Sequence, residues 1–294
     1  MIYEFALDPS VLSTWGSFRY FYDNFGAEHG RLISQFPKRW KRMVYDACSR
    51  CADIDKKRIE ERLAYINNKL VKMSREYNNS MPWLENAEEQ HIVNPFRAII
   101  SDSNPRNISK ILIAADLDNT TPLWNVIRGE CIPRNASDID ERVQPMLHLC
   151  TEVLFVDPHF NPSEIRYRNT LQQFVKSTNK NPKILRMEYH LGDKLEKSHF
   201  ESECKNKLSR LLPKGLEITF IRWRQLEEGE KLHPRYILTD IGGIRIEVGL
   251  DEGEVGETTD ISLLSESLYS QRWENFQRST SAYKFVDELK IVGE

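Results

Sequence analysis

Long apolar runs are missing from this 294-residue chain: no stretch of 18 residues is continuously apolar, so a transmembrane helix is not expected. The opening residues Met1-Ile2-Tyr3-Glu4-Phe5-Ala6-Leu7-Asp8 lack a basic stretch followed by an apolar one, and no secretory signal is expected. Cysteine is scarce too. Cys48, Cys51, Cys131, Cys150 and Cys204 are scattered and odd in number, which fits a reducing, cytoplasmic setting. Cys48-Ser49-Arg50-Cys51 has no two further ligands at zinc spacing, so its thiols read as buried or incidental and no metal is expected. A Walker loop, a dinucleotide glycine pattern and an H-E-x-x-H helix are absent, which leaves nucleotide-driven and metalloprotease chemistry, and any bound cofactor, without support. A net charge of −3 argues against a protein that coats nucleic acid without specificity.

The patterns that are present divide the chain in two. Ile59, Leu63, Ile66, Leu70 and Met73 recur at intervals of 4, 3, 4 and 3, which predicts a helix from Asp53 to Tyr77. Pro37 suits the first turn of a preceding helix through Trp40, Val44 and Cys48, and residues 1–95 read as an N-terminal helical domain. From 96 to 294 the pattern is mixed. Strands are expected at Arg97–Ile100, Lys110–Ala115, Val153–Asp157, Lys183–Tyr189, Leu216–Arg222, Arg235–Thr239 and Ile244–Val248. Helices are expected at Ser137–Cys150, with Ser137 and Asp140 as a capping box, at Pro162–Ser177 and at Glu196–Leu212. This describes an α/β fold, a mixed β-sheet flanked by helices.

Charge is uneven along the chain. From Arg31 to Arg50 six basic residues (Arg31, Lys38, Arg39, Lys41, Arg42, Arg50) face one acid, Asp46, with Trp40 and Tyr45 interleaved. Such a segment suits nucleic acid, cations on phosphates and rings on bases; a solvated helix face with Trp40 turned inward is the equal alternative. Glu247 to Glu266 is the reverse, with seven acids and no base, and reads as a surface loop.

One segment carries chemistry. Leu232-His233-Pro234-Arg235-Tyr236-Ile237-Leu238-Thr239-Asp240 spells H-x-R-x4-D ahead of a turn at Gly242-Gly243. Composition alone gives about 0.05 chance matches per chain of this length, so the triplet needs its context. Two residues apart on an extended strand, His233 and Arg235 project from one face, where an imidazole and a guanidinium converge on one phosphate.

This segment resembles the H-x-K-x4-D motif of the phospholipase D superfamily, with Arg235 in the lysine position. The string from His233 to Asp251 is similar to a divergent, single-motif branch. That branch includes phospholipase D-like proteins of bacterial defence loci and the membrane-binding C-terminal domain of certain eukaryotic midbody proteins. Val153-Leu154-Phe155-Val156-Asp157-Pro158-His159-Phe160 resembles the first core strand of such domains, and the likeness covers residues 145–280. It implies a metal-independent phosphodiesterase with His233 as nucleophile, Arg235 on the non-bridging oxygens and Asp240 fixing the hairpin. By position alone, Asp157 is a candidate to orient an imidazole, and His159, just past the end of a central strand, is placed to line the same pocket or, equally, to cap the turn beside Pro158. Nucleic acid is the implied substrate and bacterial antiviral defence the implied setting. With one motif for a chemistry that uses two histidines, a homodimer is expected. Arg235 for lysine, and Gly249-Leu250-Asp251-Glu252 in place of the family's Gly-Ser-x-x-Asn, keep a second reading open: a catalytically inactive phosphate-binding module that recruits a partner such as an ATPase. Lipid cleavage ranks third, since no membrane-binding face stands out.

Overall fold

Tyr3–Leu7 and Arg31–Ser34 are short runs buried on both sides, and both fold as strands. The computed structural model describes residues 1–178 and 182–294 and divides into two units, Ile2–Ile127 and Arg128–Glu294 together with Met1.

The first unit is α/β rather than helical. In chain order it has β1 (Tyr3–Leu7), α1 (Trp15–Asn24), β2 (Arg31–Ser34), α2 (Trp40–Ala47), α3 (Asp53–Tyr65), β3 (Leu70–Val71), α4 (Trp83–Val93), β4 (Ile99–Ser101) and β5 (Ile111–Ile113). The strands form a parallel sheet in the order β3-β2-β1-β4-β5. The expected boundary at residue 95 moves to 127, because Ala6 pairs with Ile99 and Leu7 with Ile100, so β4 and β5 complete this sheet. The expected helix over 53–77 stops at Tyr65. Its apolar stripe runs on into β3, and Ile59, Leu63, Ile66 and Leu70 still reach one core. Tertiary pairing with β2 outweighs the helical spacing.

The second unit holds β6 (Gly129–Pro133), α5 (Ala136–Leu149), β7 (Glu152–Val156), α6 (Ile165–Ser177), β8 (Arg186–Gly192), α7 (Lys197–Leu208) and β9 (Glu217–Gln225). After these come β10 (Tyr236–Thr239), β11 (Gly242–Ile246), β12 (Thr258–Leu263), α8 (Glu266–Asn275) and β13 (Tyr283–Val292). They build an eight-stranded mixed sheet in the order β13-β9-β8-β7-β10-β11-β12-β6. The mixed sheet flanked by helices is therefore as the sequence implies. Strands β7, β8 and β9 run parallel, and β10 lies antiparallel to β7 with Tyr236 opposite Val156. The cap of α5 is Asn135, whose side chain accepts from the Asp138 amide, not the expected Ser137. The acidic segment is a loop over residues 247–257 only; β12 follows within it and pairs with both β11 and β6.

Candidate active site

Strand direction decides which residues meet. The carboxyl ends of β7 and β8, the amino end of β10 and the exit of β11 share one edge of the larger sheet. From β7 come Asp157 and His159, from the segment after β8 Lys194, from the approach to β10 His233 and Arg235, and from beyond β11 Leu250 and Asp251. Gly192 lets β8 pass close to the turn after β7, donating its amide to the Pro158 carbonyl at 3.1 Å.

Asp157 is the buried centre, with no exposed surface. Its carboxylate accepts from the amides of His159 (2.9 Å) and Leu250 (2.8 Å), joining the loops after β7 and β11. Burial pushes its pKa up; the two amide bonds and the Arg235 charge oppose the rise. The Arg235 Nε lies 3.9 Å from that carboxylate, an ion pair too long for a hydrogen bond, and is buried with no hydrogen-bond partner among the described residues. Among the described residues no acceptor takes a hydrogen bond from this guanidinium. The exposed rings of His159 and His233 stand edge to face with centroids 6.1 Å apart. His159 has its pKa lowered, first by burial and then by the charges of Arg235, Lys194 and His233. Beneath them Asp251, 1 % exposed, is paired with Arg134 and, at 3.1 Å, with Arg166.

Two imidazoles, a guanidinium and an ammonium thus meet at one edge, and among the described residues none of their side chains is spent on a hydrogen bond within the protein. Polar groups this close to a buried carboxylate are ordinarily satisfied. The arrangement suits an anion carrying several acceptor oxygens, with an imidazole on either side of it. It also places each expected residue. Arg235, Asp157, His159 and His233 converge, whereas Asp240 sits at the opposite end of β10. There the Asp240 carboxylate accepts from the Thr151 amide (2.9 Å), the Thr151 hydroxyl (2.7 Å) and the Glu152 amide (3.1 Å). It pins the hairpin to the start of β7, the fixing role expected of it, and takes no part at the edge where the histidines lie. Sequence reading missed Lys194, Arg134 and Arg166. None of the three carried a local signal; the strand before Lys194 mixes Arg186, Glu188 and His190 with apolar residues.

The basic segment does not form one strip. Arg31 is buried on β2, donating to the carbonyls of Trp124 (2.8 Å) and Asn24 (3.0 Å) with its guanidinium 4.0 Å from the Trp124 ring. Its place in the core corrects the expectation of a phosphate contact. Trp40 is buried as well, its indole N–H donating to the Leu7 carbonyl at 2.7 Å, so it stacks on no base. Lys38, Arg39 and Arg42 are exposed and Lys41 half-buried, while Arg42 is paired with Asp46 at 3.0 Å.

No protein-family model matches the chain, and no curated protein matches it. Solved structures that match include TrmBL2, an archaeal chromatin protein described as showing a novel mode of DNA binding; it is 12% identical, with a TM-score of 0.29. That match covers 59% of this chain and 59% of TrmBL2. Among the described residues no helix is long and apolar enough to cross a membrane.

Proposed function

We propose that the second unit is a phosphodiesterase that cuts nucleic acid through a covalent histidine intermediate. One observation carries this reading: two imidazoles, ring centroids 6.1 Å apart, beside a guanidinium, with no hydrogen bond from any of the three side chains among the described residues. In-line displacement wants an attacking atom about 3 Å from phosphorus and a proton donor about 3 Å from the leaving oxygen, roles that two neighbouring imidazoles can divide between them. His233 attacks through a neutral ring nitrogen; a P–N bond forms as the P–O bond to the leaving group breaks. His159 gives its proton to that oxygen. Water then attacks phosphorus, His159 takes its proton, and the P–N bond breaks to restore His233. Arg235 and Lys194 hold the non-bridging oxygens through both steps. The same cations lower the pKa of His159, and a bound phosphodiester offsets them, so the proton is best held when substrate is in place.

Nucleic acid as the substrate, and bacterial defence as the setting, follow from the resemblance to phospholipase D-like proteins. The silent alternative has its own observation. Asp251 brings a carboxylate to the cationic edge at a place where the resembling proteins carry Gly-Ser-x-x-Asn. Incubation with single- and double-stranded DNA and RNA, with and without a chelator, tests the proposal. Strand cleavage is expected in both conditions, because the histidine route needs no metal, and none with His233→Ala. Full activity in the variant, or complete loss with chelator, overturns the assignment. Tight binding with no cleavage establishes the silent module.

A further inference from the structure

In the first unit α2 ends in a tight turn that carries both thiols of Cys48-Ser49-Arg50-Cys51. A 3-10 turn over Cys48–Arg50 follows Ala47, closed by the Cys51 amide donating to the Cys48 carbonyl at 3.0 Å. In such a turn residues three apart lie one above the other, with about 6 Å between Cα atoms, inside the separation of about 4.4–6.8 Å that a disulfide spans. Both side chains reach one short stretch of chain. The Cys48 thiol donates to the Leu12 carbonyl at 3.2 Å and the Cys51 thiol to the Ser13 carbonyl at 3.0 Å. Consecutive carbonyls therefore hold the two sulfurs on the same side of the turn. Burial first, and then the neighbouring Cys51 side chain, push the Cys48 thiol up to about 11, against the charge of Lys56. Nothing else joins the pair as a ligand, since among the described residues no group of three or more His, Cys, Asp or Glu could hold a metal ion. The two thiols differ in access. Cys48 is fully buried, whereas Cys51 is partly exposed and follows the exposed Arg50. A thiol must ionise to attack, and it does so more readily within reach of water and beside a cation.

We propose that Cys48 and Cys51 are a redox modification site, oxidised to an intrachain disulfide by a low-molecular-weight disulfide such as oxidised glutathione. The Cys51 thiolate attacks one sulfur of the reagent. The reagent's S–S bond breaks, and its departing thiolate takes up the proton that Cys51 gave up. Cys48 then loses its proton and attacks the Cys51 sulfur, and the second thiol of the reagent leaves with that proton. Two protein thiols are thereby oxidised by two electrons, and one reagent disulfide becomes two thiols. The thiol–carbonyl bonds given up are weak, so little in the fold opposes the step. This site is independent of the phosphodiesterase reading.

Incubation of the full chain bearing Cys131→Ser with oxidised glutathione, then alkylation, trypsin and mass spectrometry, is the test. Cleavage after Arg50 parts Cys48 from Cys51, so only a disulfide keeps their two peptides joined. Joined peptides that separate on reduction are expected, with both thiols lost together and the buried Cys150 and Cys204 left as thiols. With Cys48→Ser added, glutathione is expected to stay on Cys51, because no second thiol displaces it. In the unsubstituted chain the exposed Cys131 reports that the reagent is active. Free Cys48 and Cys51 thiols under conditions that modify Cys131, glutathione retained on Cys51 while Cys48 is present, or equal oxidation of Cys150 and Cys204 would each overturn the proposal.

Discussion

At the scale of single residues, the guanidinium of Arg235 separates the readings of the larger sheet. A planar fork donates to two oxygens at once, whereas an ammonium is a compact charge on a flexible stem. If Arg235 clamps phosphate, Arg235→Lys is expected to lower kcat/KM about ten- to a hundredfold, the worth of one charge-assisted hydrogen bond. Steady-state kinetics on a cleaved oligonucleotide reads this, and an unchanged value would place the side chain away from the phosphate. His159 gives a second residue-scale expectation. As the proton donor it must be protonated, and its pKa is depressed below the ordinary 6.5, so kcat/KM falls with rising pH from a limb below that value. Lys194 helps depress that pKa. Lys194→Met is therefore expected to move the limb to higher pH, even as phosphate binding weakens. A pH–rate profile with an unmoved limb would remove His159 from the proton transfer.

Among the elements, β8 does two jobs. Its end at Gly192 runs against the turn that carries His159, where an added Cβ would lie 3.0 Å from the Pro158 carbonyl oxygen. Backbone does not yield as a flexible side chain does. Gly192→Ala is expected to push this turn out and cut turnover by about tenfold or more while the fold persists, since a misplacement near 1 Å is enough for such losses. Intact circular dichroism with wild-type turnover would show that the turn absorbs the methyl group. Lower on the same strand, Glu188 is 3 % exposed and accepts from Arg186 (2.6 Å) and Arg278 (2.7 Å), with the His190 ring nitrogen 3.2 Å away. The Trp223 indole donates to the other His190 nitrogen at 2.9 Å, which makes that nitrogen an acceptor and His190 neutral. Burial raises the Glu188 carboxyl, but the bonds from His190 and Arg186 outweigh it and hold the pKa at about 2. A carboxylate depressed in the folded state stabilises fully above its unfolded pKa, and that share is lost as pH falls through the folded value. The window here runs from 4.5 down to about 2. Glu188→Ala removes the acceptor that Arg186 and Arg278 share, though they keep Glu152 and Glu288, and is expected to cost about 1–3 kcal/mol at neutral pH. It is also expected to flatten acid unfolding across that window, as urea titrations at several pH values would record.

For the whole molecule, the number of histidines at the site bears on assembly. A single H-x-R-x4-D motif suggests that two copies must pool their His233 side chains. If His159 serves as the second imidazole, as in the proposed mechanism, one chain meets that requirement alone. An equimolar mixture of wild type and His233→Ala is expected to keep half the activity at every protein concentration. Loss beyond simple dilution, with a dimer in sedimentation equilibrium, would return the second imidazole to a neighbouring copy.

Much of the larger sheet was legible in the sequence. Apolar runs at Val153, Leu216 and Ile237 are strands buried on both faces, and burial of that kind leaves a local signature. His233, Arg235, Asp157 and His159 were legible as candidates because a motif and a strand end are local features. Their convergence was not, since it depends on β10 running antiparallel to β7, and nothing in either segment encodes that pairing. Asp240 reads like its motif partners, yet strand direction carries it to the far end. The first unit was the least legible. Its strands are two to five residues long and its helices carry strong periodicity, so local pattern favours helix throughout. Only parallel pairing among distant segments makes a sheet of Tyr3–Leu7, Arg31–Ser34 and Ile99–Ser101, and the same pairing draws Arg31 into the core and brings Asp8 up to Ser101. Local sequence determined which groups exist and where strands end; the long-range hydrogen bonds of the two sheets decided which of those ends meet.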